Sequence, residues 1–349
     1  MKANESKLLR VIAYTGGHNA PARVFRVQNY VRPLRAMGVE LEESPSRAGL
    51  YPPSRKWKRP FWGLWNIGSR FPDVLQSYRY ELSLFQREML STFVTWEPVT
   101  KGPRVLDVDD AIWVHPRGHF AERLARLCDH VICGNQFLAE QFSCWNKSVS
   151  VLPTAVDSQF FCPGSGENGQ GRIIIGWSGL HTGLPYLYRI EAAFSEVLRR
   201  HPQAIFRIVC DRRPEFRCLP PEQLEFIPWT PENQVRTIQE MTIGIMPLDD
   251  SELARGKCSY KMLLYMACGL PVVVSPLEMN AEVLSKGSVG FGAVSDRQWV
   301  SSLNELISNP DLRLRMGQAG REVILQNYSI DVLAPKLADV LLRVGGSKP

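Results

Sequence analysis

Residues 243–274 read IGIMPLDDSELARGKCSYKMLLYMACGLPVVV. The apolar run at 243–246 has strand length, a polar loop follows it, and an apolar stretch of helical length begins near residue 259. Gly269 suits the position just past a helix end, and the proline two residues later prevents the helix from continuing. The run at 272–274 then predicts a second strand. A strand, a helix and a strand in this order are typical of a parallel sheet covered by helices.

The same alternation occurs along the rest of the chain. Strand-like runs occur at 8–14, 39–41, 82–85, 104–108, 130–133, 149–152, 173–175, 205–209, 225–227, 243–246 and 272–274. Helical patterns are predicted at 24–34, 121–128, 136–142, 187–197, 235–241 and 332–342. Two such series predict an α/β protein with two doubly wound, Rossmann-like domains that face a central cleft.

A glycine-rich polar segment at 162–171 separates the two series, because such a composition cannot build a core element. We therefore predict an N-terminal Rossmann-like domain over 1–160, a linker over 161–172 and a C-terminal Rossmann-like domain over 173–330. The last helical pattern, within 331–349, is predicted to be a terminal helix that packs back on the N-terminal domain.

Composition limits the classes of protein. The chain has 349 residues, a formal net charge of +6 and 44% hydrophobic residues, which excludes global disorder. Its longest apolar runs have strand length rather than membrane-spanning length, and residues 1–7 contain no signal-like apolar region. We therefore expect a cytoplasmic protein. Eight cysteines without a C-x-x-C pair or zinc-like spacing predict no structural metal.

Residues 54–65 interleave cations with aromatic side chains. Four cations and four aromatics alternate there: Arg55, Lys56, Trp57, Lys58, Arg59, Phe61, Trp62 and Trp65. Such a segment can lie on an anionic membrane surface with its rings at headgroup depth. A solvated basic surface with its aromatics turned to the core explains the pattern equally well. No nucleic-acid recognition motif accompanies these residues, so no nucleic-acid partner is expected.

Three cations surround the start of the helix near residue 259, namely Arg255, Lys257 and Lys261. Ser259 or Cys258 can cap this helix. A helix N-terminus exposes backbone N–H groups and carries a partial positive charge, so it is suited to an anion. The loop and helix start therefore predict a diphosphate site, and a basic loop that caps an ordinary helix is the alternative.

The stretch KMLLYMACGLPVV at 261–273 resembles the signature of retaining glycosyltransferases of family four, which have the GT-B fold. Further segments fall in the order of that family: Gly16-Gly17, 152–157, 176–183, 315–321 and Tyr328-Ser329. The order and spacing of these segments carry the resemblance, which extends over most of the chain.

The resemblance implies transfer of a sugar from a nucleotide diphosphate donor, with retention of configuration and generally without a metal or another cofactor. The acceptor would be a glycan or a lipid-linked molecule, as in bacterial polysaccharide or cell-envelope assembly, with the enzyme peripheral on the inner membrane face. The N-terminal domain would be the acceptor domain and the C-terminal domain the nucleotide-sugar domain, and the residues implied for the donor are Gly16, Gly17, Ser178, Gly179, Lys257, Ser259, Tyr260 and Lys261. Arg212 and Trp229 are further donor candidates because each follows a predicted strand, and a solvated turn for Arg212 and core packing for Trp229 are the alternatives. Arg255 and Lys257 would stabilise the leaving diphosphate.

Asp109 and Asp110 follow the predicted strand at 104–108, in the pattern Asp107-Val108-Asp109-Asp110. The resemblance implies that one of them faces the reacting sugar or orients the acceptor hydroxyl. A D-x-D metal site and a pair of turn carboxylates are the alternatives. His18 is a candidate acceptor contact, although a loop histidine without a functional role explains it as well.

The family commonly carries Glu-x7-Glu across the loop and helix, where this chain has Gly256 and Leu264. It also places basic residues after the first C-domain strand, where this chain has Trp177 and Thr182. The alternative function is therefore a non-catalytic nucleotide-sugar-binding protein on the same fold. A sugar-nucleotide epimerase or a phosphorylase is a third hypothesis.

Overall fold

The computed structural model describes residues 8–17, 20–115, 118–164 and 172–346. The chain divides into two compact units. The first consists of Met1–Ala155, Gly256–Cys258 and Ile330–Pro349, and the second of Val156–Arg255 and Ser259–Ser329. In the described residues each unit contains one six-stranded sheet, and all strand pairings that build the two sheets are parallel. The predicted α/β class with two doubly wound sheets is confirmed.

The sheet of the first unit has the strand order β2-β1-β3-β4-β5-β6. Its strands are β1 (Leu9–Thr15), β2 (Val39–Pro45), β3 (Leu82–Gln86), β4 (Arg104–Val108), β5 (His130–Cys133) and β6 (Val149–Val151). Strands β3 and β5 are buried along their whole length, which is why they read as continuous apolar runs. Register is set by pairs such as Leu9 with Val39 and Val11 with Leu82.

Helices of the first unit cover this sheet. They are α1 (Pro21–Arg23), α2 (Asn29–Ala36), α3 (Arg59–Gln76), α4 (His119–Leu127), α5 (Gln136–Ser143) and α14 (Ile330–Gly346), with a π-helical turn at Val24–Gln28 between α1 and α2. The C-terminal helix α14 buries Leu333, Leu337 and Leu341 in the same core as Tyr30 and Leu34 of α2. Burial of this apolar face anchors the helix in the first unit.

The sheet of the second unit has the order β12-β11-β10-β7-β8-β9. Its strands are β7 (Ile173–Gly179), β8 (Ala204–Cys210), β9 (Leu224–Pro228), β10 (Ile243–Met246), β11 (Val272–Val274) and β12 (Gly290–Gly292). The edge strand β12 was not predicted, because its sequence Gly-Phe-Gly has no apolar run. Its position depends on pairing with β11, which is a tertiary contact.

The helices of the second unit are α6 (Leu184–Arg189), α7 (Glu191–Arg200), α8 (Gln234–Gln239), α9 (Glu252–Arg255), α10 (Tyr260–Ala267), α11 (Met279–Ser285), α12 (Asp296–Ser308) and α13 (Pro310–Val323), and a π-helical turn follows at Ile324–Tyr328. Apolar residues of α7 and α12, including Phe194, Trp299 and Leu303, form the core against β7 and β8. None of the described helices combines the length and apolar composition that crossing a bilayer requires.

Several helical features differ from the predictions, and helices α11, α12 and α13 were not predicted. The pattern at 187–197 is two helices, because the backbone at Ile190 leaves the helical region between α6 and α7. The loop after β10, predicted as irregular, contains the short helix α9. The long helix α3 was not predicted, because two prolines and two glycines within it lower its helix propensity.

Candidate functional site

The strand order of the second unit reverses between β7 and β10. In open parallel sheets, ligands bind at the carboxyl ends of the strands where the order reverses. Ser178 and Gly179 end β7, and the polar loop that begins at Pro247 follows β10. The topology therefore brings the predicted donor residues Ser178 and Gly179 to the edge of the sheet where a ligand site is expected.

Tyr265 joins α10 to the end of β7. Its hydroxyl accepts a hydrogen bond of 2.8 Å from the backbone N–H of Ser178, and burial raises its pKa. A Cβ atom on Gly244 of β10 would lie 2.3 Å from Tyr265 Cγ, so only glycine allows the ring to pack there. Through this contact the helix is positioned directly over the reversal point.

Lys261, in the first turn of α10, lies beside the last residue of β7. A Cβ atom on Gly179 would be 2.5 Å from Lys261 Cε, so the lysine stem packs on the bare backbone of that glycine. The ammonium nitrogen is 5.7 Å from the centroid of the Trp177 ring, which is a cation–π contact. Trp177 is buried and stands where the family commonly has a basic residue.

Ser259 precedes α10 in the left-handed conformation, with φ of +53°. Its hydroxyl donates to Asn280 Oδ1 at 2.6 Å and does not cap the helix, so the prediction of a Ser259 side-chain cap is wrong. Asn280 in turn donates to the carbonyl of Ser275 at 2.9 Å. This hydrogen bond holds the loop where it enters the helix. The Ser259 side chain therefore does not cap the first helical turn, which begins at Tyr260.

The other end of α10 has the predicted form. Gly269 has φ of +76°, its N–H donates to the Met266 carbonyl at 3.0 Å, and the N–H of Leu270 donates to the Tyr265 carbonyl at 3.0 Å. These two bonds are the Schellman arrangement of a helix C-terminus.

Arg255, at the end of α9, is engaged by two carboxylates. It lies 2.6 Å from Asp250 and 2.6 Å from Glu278, and the hydrogen bond to Glu278 raises its pKa. These anions offset its charge, so the guanidinium presents less positive potential to a phosphate than the sequence implies.

Arg212 and Trp229 follow β8 and β9 at the same edge of the sheet as Ser178. Arg212 is exposed, and Trp229 is partly buried with its backbone N–H bonded to the Cys210 carbonyl at 3.0 Å. The parallel order therefore brings both predicted donor residues to the carboxyl edge of this sheet.

In the first unit, Gly16 and Gly17 follow β1. Gly17 has φ of +104°, and a Cβ atom there would lie 2.7 Å from the Ser46 carbonyl oxygen. Close backbone packing therefore requires this glycine irrespective of any ligand. His18, the predicted acceptor contact, lies outside the described residues.

Lys257, in the first unit, is held by two polar side chains. Its ammonium lies 3.0 and 3.1 Å from the two carboxylate oxygens of Asp110, which follows β4. Its carbonyl accepts a hydrogen bond of 3.1 Å from Asn135, and the Asn135 side chain also caps α5 through the N–H of Leu138. Side chains that follow β4 and β5 thus hold Lys257 at the carboxyl edge of this sheet.

Residues on either side of Lys257 are closely packed. A Cβ atom on Gly134 would lie 2.3 Å from Cys258 Sγ, and one on Gly256 would lie 2.6 Å from the Cβ of Ala111. The Cys258 thiol donates to the Asp109 carbonyl at 3.2 Å. No side chain fits at position 256 without displacing Ala111, which accounts physically for the absence of the family's first glutamate there.

Asp109 has an unusual ionisation. Burial raises its pKa to about 6, Arg26 and Arg87 oppose this rise, and Asp110 adds to it. A carboxyl with a pKa of about 6 changes its protonation state just below neutral pH.

Asp107 has a different partner. Arg26 donates to both of its oxygens, one of these bonds being 2.9 Å, and both side chains are buried. Burial lowers the pKa of Arg26, and the carboxylate of Asp107 outweighs that effect and raises it. The Asp107 carboxylate is therefore committed to a structural ion pair, which weakens the D-x-D alternative.

Residues 177–309 match the family model described as glycosyl transferases group 1. Over this segment the chain is similar to that family. Structural similarity extends beyond this segment to almost the whole chain. Sucrose-phosphate synthase from Thermosynechococcus elongatus aligns with a TM-score of 0.73 and 13% identity over 97% of this chain and 100% of that chain. No curated protein sequence matches.

Two other solved structures show the same fold. HepE from Anabaena, in complex with UDP and glucose, has a TM-score of 0.68 and 12% identity over 96% of this chain and 100% of that one. WaaG, a glycosyltransferase involved in lipopolysaccharide biosynthesis, has a TM-score of 0.64 and 12% identity over 95% and 99%. The GT-B fold predicted from the sequence is confirmed.

Several residues that shape these sites were missed from the sequence. Tyr265, Asn280 and Asn135 act by holding a neighbouring segment, and nothing in the local sequence distinguishes them from ordinary polar or core positions. Arg87 was also missed. It is buried after β3 with φ of +66°, and among the described residues only one of its guanidinium nitrogens, which donates to the Tyr51 hydroxyl at 3.1 Å, has a hydrogen-bond partner.

The second glutamate position of the family is also explained. Leu264 lies within α10 and is 4% exposed, in an apolar environment that would penalise a carboxylate. A carboxylate at position 264 would need a repacked helix face.

Proposed function

We propose that this chain is a retaining glycosyltransferase of the hexosyltransferase type. It would move a sugar from a nucleoside diphosphate donor to a hydroxyl of a glycan or lipid-linked acceptor. The observation that carries the proposal is Lys261, which packs on Gly179 at the strand-order reversal of the second unit. A cation at this point, in the first turn of a helix, is suited to a diphosphate.

In the proposed reaction the bond between the sugar C1 and the diphosphate oxygen breaks, and a bond from C1 to the acceptor oxygen forms. The acceptor proton passes to the departing diphosphate. Negative charge accumulates on that leaving group, so the Lys261 ammonium and the N–H groups at the start of α10 would lower the barrier. The cations of the protein would supply this stabilisation without a metal. The structure with UDP and glucose bound to HepE supports a nucleotide donor of this class.

For the first unit we propose the acceptor role. Asp109 and Asp110 would orient the hydroxyl, and Lys257 would keep Asp110 in place through its ion pair. WaaG acts in lipopolysaccharide biosynthesis, which supports an acceptor from cell-envelope or polysaccharide assembly at the inner face of the membrane.

Nucleoside diphosphate binding can be tested by thermal denaturation. Ligand at 100 times its Kd stabilises the folded state by about 2.7 kcal/mol, which would raise the melting temperature by several degrees. The variant Lys261→Met should abolish most of this rise, whereas Arg297→Met, an exposed arginine on α12, should leave it unchanged. An equal rise in wild type and Lys261→Met would contradict the proposed site.

A non-catalytic nucleotide-sugar-binding protein is the second candidate. Gly256 and Leu264 favour it, because they stand where the family commonly has glutamates. Donor hydrolysis or transfer by the purified protein eliminates this candidate. Nucleotide-dependent stabilisation without turnover of any donor, across a panel of nucleotide sugars and acceptors, supports it instead.

A further inference from the structure

Helix α3 presents an apolar stripe to solvent. Its members are between 46% and 71% exposed, with Tyr78 just beyond the helix: Phe61, Leu64, Trp65, Phe71, Leu75 and Tyr78. They are adjacent or three to four residues apart except between Trp65 and Phe71, where the exposed Gly68 stands in the intervening turn. This spacing is that of one helical face. Apolar surface of this extent is unusual on a monomeric soluble protein and marks a surface for association.

The opposite face of α3 is firmly held. Arg70 is 2% exposed and donates to the carbonyls of Ser44 and Thr15 at 2.7 and 2.6 Å. Asp73 is also buried and accepts from Arg47 at 2.9 Å. Rotation of the helix about its axis would break these buried bonds, so the outward direction of the stripe is built into the fold.

The charge around the stripe has one sign. Arg55, Lys56, Lys58 and Arg59 are all exposed at the N-terminal end of α3. Between residues 45 and 80 the only acidic residue is Asp73, which is buried. A surface with exposed rings, a long apolar stripe and clustered cations is complementary to an anionic lipid bilayer, where rings lie at headgroup depth.

A second copy of the chain fits this surface less well. A two-fold dimer places the same patch against itself, and the patch has no exposed carboxylate to pair with the cations of the other copy, because Asp73 is buried. Desolvation of these unpaired cations opposes the isologous contact.

We propose that α3 lies in the plane of an anionic membrane, with the stripe from Phe61 to Tyr78 inserted at the level of the headgroups. With 18 residues the helix is about 27 Å long and lies on the bilayer without crossing it. The inference is independent of the proposed sugar transfer, since it depends only on the exposed face of the first unit. It extends the predicted segment 54–65 along the whole helix.

Sedimentation with vesicles tests the proposal, using the full chain and vesicles of either neutral phosphatidylcholine or a mixture with about one-third phosphatidylglycerol. Wild type should bind the anionic vesicles, and binding should weaken as salt is added. The double variant Phe61→Gln/Trp65→Gln should bind at least about tenfold more weakly, because it removes two large apolar groups from the stripe. Lys56→Gln/Lys58→Gln should lose roughly fivefold per cation.

The matched control is Val294→Gln/Leu314→Gln, which changes two apolar side chains of the second unit that are 77% and 61% exposed. It should bind vesicles as wild type does, and circular dichroism should show equal melting for all variants. The proposal fails if wild type binds neither vesicle, or if the control loses as much binding as Phe61→Gln/Trp65→Gln. It also fails if the free protein is a dimer that the stripe variant converts to a monomer.

Discussion

The contact between Gly134 and Cys258 offers a sharp test of how Lys257 is held. A Cβ atom on Gly134 would approach Cys258 Sγ to 2.3 Å, whereas its next neighbours, Asp109 Cα and Cys258 Cβ, are at an ordinary 3.4 Å. Gly134 does not lie in the left-handed region, so its backbone accepts an alanine. The Cys258 sulfur is therefore the atom that clashes with an alanine at position 134.

The expected cost follows from this geometry. Overpacking a closely packed site costs about 1–3 kcal/mol, whereas the reduced freedom of the unfolded chain returns only about 0.4–1 kcal/mol. Cys258→Ala removes the opposing sulfur and should cost about 1 kcal/mol by itself. In the double variant the sulfur is absent, so the two changes should be coupled by about 0.5–3 kcal/mol in the favourable direction.

Thermal denaturation measures this coupling. For a domain of 150–250 residues each kcal/mol shifts the melting temperature by about 2–4 °C, so Gly134→Ala should melt several degrees below wild type. The double variant Gly134→Ala/Cys258→Ala should recover most of that loss. The described packing of the 256–258 segment is wrong if Gly134→Ala has the melting temperature of wild type. It is also wrong if the losses of the two single variants simply add in the double variant.

Two further predictions concern the ionisation of Asp109 and the ion pair of Arg26 with Asp107. Because burial raises the pKa of Asp109 to about 6 from the ordinary 3.8, its ionisation destabilises the folded state as pH rises between about 4 and 6. In urea denaturation at a series of pH values, wild type should therefore lose up to about 3 kcal/mol more than Asp109→Asn across this window, and parallel pH profiles would contradict the assignment. Arg26→Met leaves the buried Asp107 carboxylate uncompensated and should cost about 3–5 kcal/mol in the same assay. Arg26→Met/Asp107→Leu should cost clearly less, and an equal or larger loss in the double variant would show that the pair itself stabilises the fold.

The central strands of the sheets were predictable because they are short, buried and largely apolar. The runs at 104–108, 130–133, 243–246 and 272–274 were predicted with their observed bounds. Prediction failed for α3, where the apolar face points to solvent and proline and glycine interrupt the helical signal. It also failed for β12, which exists only through pairing with β11.

The candidate site divides in the same way. The sequence predicted a set of cations and glycines around the start of α10, because motif order and spacing are local properties. It did not indicate that Arg255 is paired with two carboxylates or that Lys261 rests against Trp177 and Gly179.

By itself, the sequence determined the α/β class, the parallel strand series and the resemblance to glycosyltransferases. Local hydrophobic period and turn chemistry encode these features within a few neighbouring residues. Only the tertiary structure decided which charges face one another, which glycines permit close packing, and which helix face is left exposed. Those properties depend on contacts between residues far apart in the chain, such as Lys257 with Asp110, and no local pattern records them.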